Sequence, residues 1–337
     1  MKIFLMIRLK MKNNGKRDVG KPASLFRRGI KVERKALSTI DLNVCRSRQM
    51  GVRMKIAVIG DIHSNHYALE ACIAHALERK VDEFLFLGDY ISDCPYPQKT
   101  MQIIYEMQKK YKCTFIRGNR EDYMLDHQKN PEERWTFSSA SGNLLYTYEN
   151  LSKKDLLFFE ELDIQGIYQK EEYPAFRYCH GSLTSSRELL LPENENLSSI
   201  MENLDVTLLI SGHTHIQKSE KYGNKKLIHP GSAGVPWYYN GKSQYMILHG
   251  TEKGWKEEFF QLEYDVNAVK KEFETSGLAK KSFYWTKLVL HNLCTGDDYT
   301  TPCLKLAMKL CEEAEGNVKW PDIPEKYWKM AAETFGI

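Results

Sequence analysis

Side chains that bind metal ions in proteins recur in this sequence, and each follows a short apolar run. Asp61 and His63 come directly after the run KIAVIG. In an extended or turning segment, a carboxylate and an imidazole two residues apart are able to reach one ion. Imidazole ligands favour Mn, Fe, Co, Ni or Zn over Ca or Mg. The residues with this placement are Asp61, His63, Asp89, Asn119, His180, His213 and His215.

This mixture of nitrogen and oxygen ligands indicates a centre for two ions. Asp89 has two carboxylate oxygens that are able to bridge them, and Asn119 adds a neutral carbonyl oxygen. Two ions roughly 3.5–4 Å apart clamp an in-line displacement and acidify a shared water, which is then hydroxide near neutral pH. Each motif alone is weak, because Gly-Asp after a strand is usually a turn and His-x-His is more often a polar pair. Their ordered recurrence is what indicates a site.

Hydrophobic periodicity predicts the elements that position these side chains. The apolar runs predict strands, and apolar residues at helical spacing predict helices over 66–80 and 97–112. The chain therefore opens as strand–helix–strand–helix–strand, which predicts parallel strands with helices packed on them. In such sheets ligands bind outside the carboxyl ends of the strands, where the candidate residues fall. Residues 122–163 and 266–337 are predicted to be mainly helical.

Charge divides the chain of 337 residues into a basic leader and a mildly acidic body. Residues 1–53 hold 15 Lys and Arg against 3 Asp and Glu, a net charge of +12, so the rest of the +4 chain carries −8. We expect the leader to be a disordered tail, with Met54 as the natural start, and the alternative is an arm for nucleic acid or a membrane surface. We predict a catalytic domain over 54–265 and a helical extension packed on it over 266–337.

Cysteine usage and hydropathy bear on location. The eight cysteines include no CxxC pair, which fits a reducing, cytoplasmic setting. No apolar run approaches the roughly 18 residues that a membrane span needs. We therefore expect a cytoplasmic protein.

The motifs GDIHSN, GDY, GNRE, CHGS and GHTH, in this order, resemble the signature of calcineurin-like metallophosphoesterases. The stretch HPGSAGVPW resembles a segment of the small prokaryotic phosphodiesterase-like branch of that superfamily. The resemblance covers about residues 54–262 and implies an α/β (α+β) fold, a four-layer αββα sandwich of two mixed β-sheets flanked by helices. It also implies a metal-dependent phosphoric ester hydrolase, in which a metal-bridging hydroxide attacks a phosphodiester or phosphomonoester in line.

The resemblance further implies a role for each residue. We expect two divalent transition-metal ions, manganese first, with iron, nickel, cobalt or zinc as alternatives. The implied ligands are Asp61, His63 and His215 for one ion, Asn119, His180 and His213 for the other, and Asp89 as the bridge. The expected catalytic residues are Asp89, Asn119 and Arg120, and the expected substrate contacts are Asn65, Arg120, Glu121 and His229.

Arg120 departs from the family pattern. Many members have a histidine directly after the asparagine, which is thought to protonate the leaving group or bind phosphate. An arginine, whose pKa exceeds about 12, does not donate a proton near neutral pH, but its guanidinium binds phosphate through two N–H groups. We expect Arg120 to bind phosphate and to pair with Glu121. We also expect either a preference for substrates with good leaving groups or protonation of the leaving group by His66 or His229. The alternative for Arg120 is a solvated ion pair.

The substrate stays open between several classes. Alternatives to a phosphodiesterase or phosphatase for small molecules are a dinucleoside polyphosphate hydrolase and a protein phosphatase of the same fold. A nuclease would need a basic or aromatic strand-binding surface, and the acidic body argues against one. A non-catalytic scaffold would have broken ligands, and all of them are intact. We expect a small phosphorylated substrate, no membrane and no nucleic acid as partner, and leave a homo-oligomer open.

Aromatic residues of the helical extension have two interpretations. They are either the core of a small helical addition, which we favour, or a substrate cap or dimer face. The residues are Tyr284, Trp285, Trp320, Tyr327 and Trp328.

Overall fold

The computed structural model describes residues 54–130 and 135–337. The leader predicted over residues 1–53 lies outside the described residues. The strands of the described part are β1 (Met54–Ile59), β2 (Glu83–Phe86), β3 (Cys113–Phe115), β4 (Gln165–Lys170), β5 (Tyr173–Cys179), β6 (Leu208–Ser211), β7 (Gln217–Tyr222), β8 (Lys225–Pro230), β9 (Ser243–Thr251) and β10 (Gly254–Leu262).

Helices occupy three regions between and after these strands. The helices are α1 (His66–Glu78), α2 (Pro97–Lys110), α3 (Asn119–Lys129), α4 (Gly142–Glu149), α5 (Lys153–Glu160), α6 (Leu197–Glu202), α7 (Val266–Thr275), α8 (Leu278–Lys281), α9 (Phe283–Thr295), α10 (Thr300–Glu315) and α11 (Glu325–Thr334). None of the helices in the described part is long and apolar enough to cross a lipid bilayer.

The strands form two mixed sheets. The first has the order β10–β9–β1–β2–β3, with β1, β2 and β3 parallel and β9 antiparallel to β1. The second has the order β4–β5–β6–β8–β7, in which β5, β6 and β8 are parallel and the two edge strands are antiparallel. Helices flank the sheets, so the predicted fold class is confirmed.

Alternation along β1 explains why the sheets pack face to face. Ile56 and Val58 belong to the apolar cluster between the two sheets, where they meet residues such as Phe176. Ala57 and Ile59 point to the opposite face and join the cluster formed with the flanking helices. Successive side chains of a strand point to opposite faces, and both faces of β1 are buried. A continuous apolar run is what a strand with two buried faces requires.

The sequence did not reveal β4, β7 or α6. β4 and β7 are edge strands, and their sequences QGIYQK and QKSEKY contain few apolar residues. An edge strand with one face toward solvent needs apolar residues only at alternate positions, so its periodic signal is weak.

The C-terminal helices pack on the sheet-flanking helices and on one another. α7 contacts α1, and α10 packs against α11. Tyr327 and Trp328 are buried in the apolar cluster of these helices, which agrees with a core role for both. Trp285 and Trp320 are only partly buried at its margin.

Candidate metal centre

The carboxyl ends of five strands bring the predicted ligands together. The backbone N–H groups of Ile62 and His63 donate to the carbonyl of Asp89, which ties the loop after β1 to the loop after β2. Two clusters of ligand atoms result, and within each cluster the atoms lie within 4.8 Å of one another: Asp61, His63 and His215 in one, and Asp89, His180 and His213 in the other. Their role as metal ligands stays a prediction.

Asp89 lies between the two clusters. Its Oδ2 is 3.6 Å from Nε2 of His63, in the first cluster, and its Oδ1 is 3.4 Å from Nε2 of His180, in the second. The side-chain oxygen of Asn119 lies 3.0 Å from the same His180 nitrogen, so Asn119 joins the second cluster. One carboxylate with an oxygen toward each cluster has the arrangement of a bridging ligand.

The imidazole tautomers follow from the partners of each ring. Nδ1 of His180 lies 2.7 Å from the carbonyl of Leu87, and Nδ1 of His215 lies 2.7 Å from the carbonyl of Val235. A carbonyl only accepts, so both Nδ1 atoms are donors. In the neutral rings, Nε2 then presents its lone pair to the centre.

The pair His63 and His215 tests whether the residues fit an ion. Nδ1 of His63 faces the Asp93 carboxylate at 2.8 Å, which holds the proton on that nitrogen. The Nε2 atoms of His63 and His215 are 3.0 Å apart, so two lone pairs face each other in a partly buried position. A cation between them removes that repulsion, and the residues therefore fit a metal ion.

Five of these residues have left-handed backbone conformations. The φ angles are 53° at Asp61, 50° at His63, 52° at Asp89, 66° at His213 and 56° at His215. Non-glycine residues in this region cost about 1–3 kcal/mol each and persist where the surrounding structure enforces them. Strained backbone at the candidate ligands is typical of a functional site.

The buried charges shift the pKa values of the cluster residues in opposite directions. Burial raises the pKa of Asp61 to about 6, although His180 opposes the shift. Burial acts to lower the pKa of His180, but Asp89 and Asp61 outweigh it and raise that pKa to about 10. Burial and His180 lower the pKa of His213 to about 3. A metal ion bound at this cluster would have to displace a proton from Nε2 of His180, because an imidazole binds metal in its neutral form.

Glu121 supports the loops that carry Asp89 and Asn119. Its fully buried carboxylate accepts from the backbone N–H groups of Asp89, Tyr90 and Gly118 at 2.8, 2.9 and 2.7 Å. The structure does not support the expectation that Glu121 contacts substrate or pairs with Arg120, because both carboxylate oxygens accept from backbone N–H groups and the described residues contain no ion pair between Glu121 and Arg120. Gly118 allows this close approach, since a Cβ there would lie 2.1 Å from Oδ1 of Asp89.

Two further expected substrate contacts have structural roles instead. Asn65 caps α1 by accepting from the N–H of Ala68 at 3.2 Å, and it donates to the carbonyl of Gly234 at 2.9 Å. His229 is fully buried, and its ring nitrogens lie 2.9 and 3.1 Å from two backbone carbonyls. His66, an expected proton donor, is 3.1 Å from Glu272 and buried between α1 and α7. All three side chains contact partners inside the protein, which a local motif does not show.

Arg120 points into the site and pairs with a residue that the sequence did not reveal. Its Nη2 is 3.1 Å from Oδ2 of Asp93, and its Nε is 3.9 Å from Oδ2 of Asp89. Oδ1 of Asp93 also accepts from Nε1 of Trp285 at 2.7 Å. Asp93 thereby orients His63, Arg120 and Trp285 together. The sequence did not reveal Asp93, because it follows Asp89 by four residues and belongs to none of the motifs.

A cavity of about 170 Å³ opens over the two clusters. Asp89, Asn119 and Arg120 line it from the sandwich, whereas Trp285 and Asp298 line it from the C-terminal helices. Asp298 accepts from the backbone N–H of Thr300 at 3.0 Å, and burial raises the pKa of its carboxyl group. The extension therefore forms part of the cavity wall, as the cap interpretation expects for Trp285.

Comparisons with known proteins agree with this fold. Residues 54–217 match the family model described as calcineurin-like phosphoesterase. An uncharacterised protein of Methanocaldococcus jannaschii is 27% identical over 243 residues, an alignment that covers 66% of this chain and 92% of that protein.

Two crystal structures share the fold. A hypothetical protein from Pyrococcus horikoshii aligns with a TM-score of 0.62 at 20% identity, covering 73% of this chain and 99% of that one. A metallophosphoesterase from Sphaerobacter thermophilus aligns with a TM-score of 0.56 at 20% identity, covering 72% of this chain and 100% of that one. At 20% sequence identity, the similarity to these two structures shows a shared fold alone.

Proposed function

Because residues 54–217 form a domain of the calcineurin-like phosphoesterase family, we propose that this protein is a two-metal phosphodiesterase for small substrates. The observation that carries the proposal is the position of Asp89, whose two oxygens face the two clusters at 3.6 and 3.4 Å. Asp61, His63 and His215 would hold one ion, and Asn119, His180 and His213 the other. Manganese is the first choice of metal, as the family resemblance implies.

The ions, when bound, supply Lewis-acid activation of the phosphoryl group and an acidified water as nucleophile. The protein's own contribution is position and charge. Contacts with Leu87, Val235 and Asp93 fix the orientations of the His180, His215 and His63 rings, respectively. Glu121 holds the two loops that carry Asp89 and Asn119. Such preorganised groups require no rearrangement at the moment of reaction.

Arg120 is suited to bind a non-bridging phosphate oxygen. It lines the cavity, and its buried Nε has no hydrogen-bond partner among the described residues. Asp93 pairs with one end of the guanidinium at 3.1 Å and so holds the group toward the centre. No imidazole stands at this position to protonate a leaving group, which favours esters with good leaving groups.

The size of the cavity supports a small substrate. A volume of about 170 Å³ over the clusters, walled in part by α9 and the α9–α10 loop, leaves little room for a folded protein or a nucleic-acid strand. A phosphodiesterase or phosphatase for small molecules is therefore favoured over a protein phosphatase or a nuclease. A dinucleoside polyphosphate hydrolase is the second candidate.

A metal-reconstitution screen tests the proposed function. The metal-stripped protein would be loaded with Mn, Ni, Zn or Mg and assayed with bis-p-nitrophenyl phosphate, p-nitrophenyl phosphate and dinucleoside polyphosphates. We expect turnover with a transition metal and little with Mg, because imidazole nitrogens favour the former. Absence of turnover of every ester with every metal, at full metal occupancy, contradicts the proposal.

Arg120→Ala is expected to lower kcat/KM for bis-p-nitrophenyl phosphate by about 10- to 100-fold, chiefly through KM, because a charge-assisted hydrogen bond contributes about 1.5–3 kcal/mol. Arg120→His is expected to change both kcat and KM, since it exchanges the clamp for a proton donor. Steady-state kinetics with the reconstituted enzyme measures both.

Lys129→Ala is the matched control, because Lys129 is an exposed cation at the end of the same helix. Unchanged kinetics in both Arg120 variants would leave Arg120 as an ion-pair partner only.

A further inference from the structure

A second cavity, of about 430 Å³, adjoins the cavity over the metal clusters. Arg120 and Trp285 line both cavities, so these two side chains form the partition between them. We refer to the larger space as the outer cavity and to the smaller space over the two ligand clusters as the inner cavity. The volume of the outer cavity lies in the range of about 300–1,000 Å³ that is typical of small-molecule sites, whereas the inner cavity has room for little more than a phosphoryl group.

The walls of the outer cavity are apolar and aromatic on the side of the extension. Leu304 and Met308 of α10 face it, together with Trp320 from the segment after α10. On the opposite side the lining includes Tyr123 of α3. Surfaces of this composition bind flat apolar groups by burial and ring contacts.

Two arginines add positive charge to this apolar lining. Arg187 lies over the Tyr123 ring at 4.7 Å from its centroid, and it pairs with Asp126 at 2.8 Å. Arg120 enters from the partition. A ligand that combines a flat ring with a nearby anionic group matches such walls better than a purely apolar ligand does.

The partition itself is fixed in place. Nε1 of Trp285 donates to Asp93 at 2.7 Å, and the indole packs edge-on against buried Trp328 with centroids 6.2 Å apart. Asn143 in turn binds the backbone of Asp93 through both its amide atoms, at 2.9 and 3.2 Å. A ring held from several sides presents its surface to a ligand without further ordering cost.

We propose that the outer cavity binds a planar aromatic substituent of the phosphoester whose phosphoryl group lies in the inner cavity. The inference rests on the proposed function, because it takes the metal centre as the phosphoryl site. The C-terminal extension then determines substrate preference, since it supplies the partition tryptophan and one wall. A nucleoside and a simple aryl group both provide a planar aromatic ring. The experiment below distinguishes these two kinds of substituent.

Calorimetry on the full-length, metal-loaded protein measures binding without turnover. The probes are methylphosphonate, phenylphosphonate and the 5′-methylenephosphonate of adenosine, whose carbon–phosphorus bonds resist hydrolysis. We expect both ring-bearing probes, or one of them, to bind roughly 10- to 100-fold more tightly than methylphosphonate, as ring stacking typically gives. Preference for the adenosine probe identifies a nucleoside source, and preference for phenylphosphonate identifies an aryl ester.

Leu304→Trp and Met308→Trp each fill the outer cavity from α10. In either variant that folds, the dissociation constants of ring-bearing probes and methylphosphonate should come within about twofold of each other, while methylphosphonate itself binds as before. Lys305→Trp is the control, because Lys305 is an exposed neighbour on the same helix. It should retain the preference.

Equal binding of the three probes by the native protein overturns the inference, and so does a preference that survives both cavity-filling variants. Turnover of bis-p-nitrophenyl phosphate is measured in parallel. Turnover without ring preference refutes only the inference, and ring preference without turnover under any metal refutes only the proposed function.

Discussion

The Asp89→Asn variant is expected to lose hydrolysis of bis-p-nitrophenyl phosphate by at least about 10³-fold, more than the loss of a single electrostatic contact costs. Asp89 is the residue whose oxygens face both clusters, so its replacement would affect both proposed ions at once. Although burial acts to raise it, His180 and His63 hold the pKa of Asp89 well below its ordinary value. The carboxylate is thus ionised, and an amide would supply neither its charge nor a second oxygen.

Metal content provides the independent measurement for this prediction. Mass spectrometry of the purified variant should give fewer ions per chain than the native protein does. Asp322→Asn is the matched control, since Asp322 is exposed in the C-terminal region and should leave both quantities unchanged. Native-level turnover in Asp89→Asn would refute the two-metal centre.

The Glu121→Ala variant is expected to lose about 3–5 kcal/mol of unfolding free energy, because it leaves three buried N–H groups without their acceptor at about 1–3 kcal/mol each. Those groups belong to Asp89, Tyr90 and Gly118, so the damage falls on two loops that carry candidate ligands. The melting temperature should fall by roughly 10 °C. Calorimetric melting with and without added metal measures the change.

Two further variants test the cause of this loss. Glu121→Gln keeps the size of the side chain but turns an amide NH₂ toward backbone donors, so we expect an intermediate loss of stability. Glu160→Ala, at the exposed end of α5, is the control and should melt as the native protein does. A melting temperature of Glu121→Ala equal to that of the control would show that the three hydrogen bonds contribute no net stability.

The structure also accounts for where the sequence-based predictions were incomplete. Ligand candidates were recognisable because each follows an apolar strand, and a buried parallel strand requires a continuous apolar run. Asn65, Glu121 and His229 were assigned to the substrate because they lie within or beside the same motifs. Their hydrogen bonds to backbone groups decide otherwise. Adjacency in sequence does not distinguish a side chain that faces the cavity from one that supports it.

By itself, the sequence determined the fold class, the resemblance to calcineurin-like phosphoesterases and the residues that converge at the strand ends. These follow from periodicity and from motif order, which are local properties of the chain. The tertiary structure alone decided which groups surround the centre. Trp285 reaches Asp93 across 192 residues, and this contact places the C-terminal helices in the wall of the inner cavity. Such contacts depend on how separate helices pack, and no spacing within the sequence encodes them.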